Sequence, residues 1–392
     1  MTRVHVVGAG ISGLATAWFL TDRGAGVLVT EAASEPGGLI RTERHPEGLV
    51  ETAARAFTRT PRIDALLRAI GVDVVDAAPA ARGRYIHRDG RTRRWPLTVR
   101  ESAAAAGRMA RAWATRSLGA RRDETVDQWG ARVAGRPAVD WLIEPALQGI
   151  YAAPPAQLSA RAVFRNRTHR GSLVAPRDGM GALIGKLHDA LRARGVRFEF
   201  NACAAAPSDG TPTGICTDAP AAAELLSAAA PGVACALRRI QMTSLRTVTA
   251  FFRPHQRDVH GFGVLFPRAG SIRALGVVFN TEAFPTRSPH RSETWIYEGA
   301  SLRGARDVID AMTLDRSVFT SRDDAPIGVP VVPPAAGIPI YDAELARAID
   351  MVDTGALPPH IALAGNYLGR LGVSKLVDGA AEAAERLTSG RT

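Results

Sequence analysis

The chain opens on a run that leaves it few folds. Arg3-Val4-His5-Val6-Val7 leads straight into Gly8-Ala9-Gly10-Ile11-Ser12-Gly13, and an apolar stretch follows. The apolar run reads as a buried parallel strand that the glycines turn into a helix. Gly8 permits the tight turn, Gly10 lets a diphosphate approach the backbone, and Gly13 lets helix and strand pack closely. Ile11 and Ser12 open that helix, so its free N–H groups and positive dipole end face the same diphosphate. Val27-Leu28-Val29-Thr30 is a second strand, ending at Glu31, whose carboxylate is placed to accept hydrogen bonds from an adenosine ribose. Together these features predict a dinucleotide-binding α/β domain.

The glycine pattern alone does not separate FAD from NAD. Two features favour FAD. The motif starts at residue 3, leaving no room for a substrate domain ahead of it. Beyond Glu31, Gly37 and Gly38 offer a second close backbone approach to the same diphosphate, with Arg41 and Thr42 just behind. The plain alternative for this segment is a Pro-Gly turn. The stretch resembles the flavin-containing amine oxidase and protoporphyrinogen oxidase superfamily, whose members carry a glycine pair there.

A chain of 392 residues predicts two domains. With 49 basic against 38 acidic residues the net charge is +11, which favours anionic small molecules or an anionic membrane surface. Nucleic acid is excluded as a partner, because no recognised binding module or aromatic-interleaved basic segment is visible. Cys203, Cys216 and Cys235 form no C-x-x-C pair and read as buried thiols of a cytoplasmic protein. The most apolar run, Ala219 to Leu237, is broken by Pro220, Glu224 and Pro231, so no membrane-spanning segment is expected.

Helical spacing appears over Asp64 to Ile70, over most of 100–147, over Leu183 to Arg194, and from about Gly379. Residues 82–96 alternate around Asp89-Gly90 and read as a tight hairpin. Strands are expected at 196–200, 247–252, 262–266, 273–279, 294–297 and 360–364, the middle four as an antiparallel sheet. The expected nucleotide domain is discontinuous, over 1–80, 170–240 and 345–392. The substrate domain would occupy 81–169 and 241–344, with a helical part near 97–150.

Further motifs lie along the whole chain. Glu144-Pro145 with Gly149-Ile150-Tyr151-Ala152 and Leu158-Ser159-x-Arg161, then Gly179-Met180-Gly181, resemble segments of protoporphyrinogen oxidases. So do Gly261-Phe262-Gly263-Val264-Leu265-Phe266-Pro267, Phe284-Pro285-Thr286-Arg287-Ser288-Pro289 and Ala364-Gly365-Asn366-Tyr367-Leu368-Gly369 with Gly372-Val373. On these motifs the chain resembles the porphyrinogen-oxidising branch of the superfamily. The resemblance implies an α/β fold: a two-domain, Rossmann-like FAD-binding domain of glutathione-reductase type with an inserted α+β substrate domain. It implies FAD as cofactor and oxidation of protoporphyrinogen IX or coproporphyrinogen III to the porphyrin, with dioxygen or another acceptor taking the electrons.

The resemblance also suggests roles. Arg84 matches an arginine that anchors a substrate propionate; the alternative is a solvated hairpin arginine. Leu265 and Phe279 match apolar positions that sandwich the macrocycle; the alternative is ordinary sheet core. Glu51 and Thr52 match a segment beside the flavin. Gly365, Asn366, Gly372 and Val373 match the C-terminal loop that closes on the cofactor. No catalytic side chain and no metal is expected, because the flavin carries the redox chemistry. Met109 and Trp113, among Arg100, Arg108, Arg111, Arg116, Arg121 and Arg122, read either as a face resting on the inner surface of the plasma membrane or as a solvated helix.

Some positions depart from the family pattern. Leu39 stands where a basic residue is common, Arg370 replaces a glycine, and a hairpin flanking the adenine is reduced to residues 204–210. Each departure would weaken cofactor binding. Two rival readings follow: another flavin oxidoreductase of specialised metabolism, and a non-catalytic paralogue that binds porphyrin or a partner.

Overall fold

The computed structural model describes residues 3–165, 171–207, 210–254, 260–299, 301–320 and 324–389. Five parallel strands lie in the order Arg197–Glu199, Gly26–Thr30, Arg3–Val7, Thr213–Ile215 and Ile361–Leu363. The apolar run at the N-terminus is therefore central, with Val6 opposite Val29 on one side and Gly214 on the other. Both faces are covered. Val6, Val29 and Ala362 pack with helices Ile11–Asp22 and Val373–Ser389, while Ile215, Ile361 and Leu363 pack with helices Ala219–Leu225 and Pro231–Arg238. Each fully buried valine or leucine contributes on the order of 1.5–3 kcal/mol to this core.

The second domain is built on seven strands, in the order Val331–Pro339, Met242–Phe252, Arg291–Glu298, Gly276–Phe279, Gly263–Leu265, Arg84–Arg88 and Arg91–Arg93. The hairpin turn has Asp89 at φ 53° and Gly90 at φ 69°, the left-handed pair that a two-residue connection requires. The four strands expected to be antiparallel pair that way, and the hairpin's first strand adds to Gly263–Leu265 in parallel, which makes the whole sheet mixed. Strand Val331–Pro339 and helix Ala305–Phe319 were not among the expected elements. The last helix starts at Val373, six residues before Gly379, because Val373, Val377, Ala380 and Ala384 continue one buried stripe through that glycine.

Within 97–150, helix Val99–Ala114 begins with a reciprocal cap between Thr98 and Glu101. It buries only Ala105 and Ala112, leaving Val99 87% and Trp113 73% exposed. No helix among the described residues is long and apolar enough to cross a membrane. Of the cysteines only Cys216 is buried; Cys203 and Cys235 are exposed, contrary to expectation.

Candidate active site

The glycine loop is shaped by what a side chain would strike. A Cβ on Gly13 would lie 1.8 Å from the Gly8 carbonyl oxygen, and one on Gly8 would lie 2.9 Å from that of Cys216. A Cβ on Gly10 would meet nothing within 4 Å. The first two glycines named serve packing; the third borders open space. No side chain caps the helix that starts at Ile11, and no acidic residue occupies its first turn, so the N–H end around Ile11 and Ser12 is left for an external acceptor. Gly37 and Gly38 return to this place. The Gly37 N–H donates to the Ala9 carbonyl at 2.9 Å, and a Cβ on Gly38 would sit 3.5 Å from the Gly10 Cα. Glu31 ends the second strand, its two oxygens accepting from the Ala9 N–H at 2.6 Å and the Ala33 N–H at 2.9 Å. A carboxylate oxygen has a second lone pair, so this anchoring is compatible with ribose contacts. The open Gly10 cradle and uncapped helix end fit the diphosphate of a flavin dinucleotide.

Behind the glycine pair, Arg41 and Thr52 are tied together: the Arg41 N–H donates to Thr52 Oγ1 at 3.0 Å, and that hydroxyl donates to the Leu39 carbonyl at 2.7 Å. The Arg41 side chain is paired with Glu35 at 2.9 Å on the surface. Thr42 and Glu51 face each other across the hairpin of strands Thr42–His45 and Gly48–Glu51, with Thr42 Oγ1 donating to Glu51 at 2.6 Å. Both side chains also take up the free end of helix Met180–Ala193. Glu51 accepts from the Met180 N–H at 3.0 Å and Thr42 from the Gly181 N–H at 2.7 Å. That helix has glycine at its cap position, so two remote side chains supply the missing acceptors. Sequence reasoning placed both residues near the cofactor and missed this capping duty.

Gly365, Asn366, Gly372 and Val373 follow the edge strand Ile361–Leu363, at the same carboxyl end of the sheet as the glycine loop. The Asn366 amide donates to the Gly337 carbonyl, which ties this loop to the second domain. Gly372, at φ 106°, leads into the last helix, which packs on the first. Arg370 lies back along that helix: it pairs with Glu382, and a Cβ on Gly379 would come 2.4 Å from its Cδ. Leu39 leans the same way onto the second domain, beside Gly337. Of the shortened adenine-side loop, Ser208 and Asp209 lie outside the described residues.

Between the hairpin and the mixed sheet lies a cavity of about 290 Å³. Ala53, Ala54, Phe262, Val278, Phe284 and Ile296 supply apolar wall, and Glu51, Arg55 and Arg287 supply charge. Strand pleating decides which sheet residues can reach it. Val278 and Ile296 line the cavity, whereas Val264, Val277, Trp295 and Tyr297 point into the core on the opposite face. Phe279 shares the parity of Val277 and is 1% exposed in that core, beside Phe319. The expected sandwich of Leu265 and Phe279 is thereby corrected: the two lie on opposite faces. Leu265 keeps the cavity parity, and a Cβ on the wall residue Gly149 would come 2.9 Å from its Cδ2. Arg84 is exposed and does not itself line the cavity; its guanidinium lies 5.3 Å from the centre of the ring of Phe262, which does.

Of the cavity's charges, Glu51 was expected beside the flavin, whereas Arg55 and Arg287 were not foreseen as site residues. Arg287 pairs with Glu51, the two side chains being 10% and 4% exposed. Arg287 sits in a motif that carried the family resemblance without a role attached, and Arg55, amid alanines, gave no signal at all.

Compared with known proteins, residues 11–206 match the model of the family described as flavin containing amine oxidoreductase. A chloroplastic protoporphyrinogen oxidase of Oryza sativa subsp. japonica is 26% identical, covering 98% of this chain and 87% of that one. A coproporphyrinogen III oxidase of Mycobacterium bovis is 26% identical over 96% of this chain and 95% of its own. The crystal structure of a putative protoporphyrinogen oxidase from Exiguobacterium superposes with a TM-score of 0.78 at 19% identity, covering 98% of each chain. The last likeness shows the fold, the two-domain architecture of FAD-dependent oxidoreductases. With the family matched over half its length and a cradle that fits the cofactor's diphosphate, the chain belongs to the flavin containing amine oxidoreductases and is an FAD-dependent oxidoreductase.

Proposed function

We infer that the protein oxidises a porphyrinogen, protoporphyrinogen IX or coproporphyrinogen III, to the porphyrin. The observation that carries this reading is the cavity itself. It joins an apolar wall to guanidinium groups beside the hairpin of the nucleotide domain, which suits a greasy macrocycle bearing carboxylates. The relatives with porphyrinogen-oxidising names support it. Gly8, Gly10, Ile11, Ser12, Gly13, Gly37 and Gly38 would hold the diphosphate, and Glu31 the ribose. When bound, FAD would supply the two-electron acceptor for hydride loss from a meso carbon, three such oxidations giving the porphyrin, with dioxygen or another acceptor reoxidising the flavin each time.

The chain's own residues bind, orient and keep the site dry. Arg84 grips a propionate at the rim, bidentately, while Leu265 and Val278 form the wall against which the ring rests. Among the described lining residues the ionisable groups are Glu51, Arg55 and Arg287. Anaerobic mixing of the holoenzyme with each porphyrinogen tests the reading: the flavin absorbance should bleach with at least one. Rapid bleaching by amines with neither porphyrinogen active would replace it.

The exposed Trp95, Val99, Met109 and Trp113 stand among arginines on and beside one helix. In this reading that face rests on an anionic membrane surface. Co-sedimentation with anionic but not neutral vesicles is expected; indifference to lipid charge would remove the contact.

A further inference from the structure

One part of the cavity carries more positive charge than its surroundings balance. Glu51 is already satisfied by Thr42, by the Met180 N–H and by Arg287. Arg287 donates through Nη1 to the Arg55 carbonyl at 3.3 Å, while its Nε is buried without a partner. Arg55 lines the same cavity, and among the described residues its guanidinium donates to no carboxylate. Burial pulls the pKa of this half-buried group down to about 10; Glu51 opposes that shift and Arg287 adds to it. Two guanidiniums face one carboxylate, and the surplus positive charge lies among Ala53, Ala54, Ala56 and Phe284. A desolvated guanidinium without a partner is costly, and a carboxylate is the group that relieves it best.

This interior charge is distinct from Arg84. Arg84 stands over the Phe262 ring in solvent, whereas Arg287 lies 5.8 Å from the centre of the Phe284 ring with its side chain 10% exposed. Both rings belong to one apolar cluster, so the substrate space has one cationic group at its rim and another inside.

We propose that the cavity selects a tetrapyrrole with carboxylates on more than one edge: Arg84 meets one at the rim while Arg55, backed by Arg287, meets another inside. Resting on the porphyrinogen reading, this assigns coproporphyrinogen III over protoporphyrinogen IX as substrate. Coproporphyrinogen III bears a propionate on every pyrrole, so both arginines find a partner at once. Protoporphyrinogen IX bears its propionates on neighbouring pyrroles and vinyl groups on the other two. Bound either way round, it leaves one arginine facing vinyl groups, and if that is Arg55 the unpaired charge stays buried.

The test compares wild-type holoenzyme with Arg55→Gln, Arg55→Lys and Arg84→Ala, each checked for flavin absorbance. Turnover of both porphyrinogens is read alongside fluorescence titration of the product porphyrins, which needs no turnover. Wild type should favour coproporphyrinogen III by about tenfold or more in kcat/KM, the scale of one charged hydrogen bond. Arg55→Gln and Arg84→Ala should each lower that preference and weaken coproporphyrin III binding by about tenfold, with Arg55→Lys falling between. Equal use of the two porphyrinogens, or a preference for protoporphyrinogen IX, overturns the proposal. So does an Arg55→Gln variant that loses flavin but not the preference, which would assign Arg55 to the cofactor. Wild type that oxidises neither porphyrinogen sinks the underlying functional reading instead.

Discussion

The two sheets build their parts of the candidate site from different materials. On the parallel sheet the cradle is main chain: glycines without side chains, an uncapped helix end, and the Gly37-Gly38 turn closing on Gly10. On the mixed sheet the wall is side chain, and a one-residue step decides whether a group faces the substrate space or the core, as Val278 and Phe279 show. The backbone site tolerates no added atom at Gly8 or Gly13, where the chain packs on itself. One made of alternating side chains is adjustable on one face and rigid on the other.

That contrast breaks or sharpens at particular positions. Gly13→Ala should have the largest effect. Its methyl group would start 1.8 Å from the Gly8 oxygen, and the purified protein should retain no flavin absorbance. A fully yellow Gly13→Ala protein would mean that the cradle is looser than its geometry. Next is Phe279→Ala, a core truncation expected to cost about 3–5 kcal/mol in denaturant unfolding while leaving the KM of the folded fraction near wild type. A large KM rise without lost stability would return Phe279 to the substrate. Smallest is Leu265→Ala: half-buried, it should cost about 1–2 kcal/mol of stability and raise KM several-fold, the reverse balance.

How much of this was legible follows the same division. The strand–glycine–helix unit and Glu31 could be read from sequence because each residue type answers a local backbone demand. The hairpin at Asp89-Gly90 was legible for the same reason, both residues being left-handed. What failed were relations between distant segments. Glu51 looked like a cofactor-side residue, and nothing near it in sequence announced that it would cap helix Met180–Ala193. Leu265 and Phe279 were paired by motif, whereas facing depends on the register Val264↔Val277, which only the assembled sheet reveals. At the two departures, the exposed Leu39 rests beside Gly337, and Arg370 lies along the last helix, paired with Glu382.

Glu51 also bears on how the two lobes are joined. Its carboxylate clasps the hairpin, the start of a helix and an arginine from the opposite lobe. Swinging the lobes apart would part that interior ion pair, so Glu51 fastens the two lobes together along this seam.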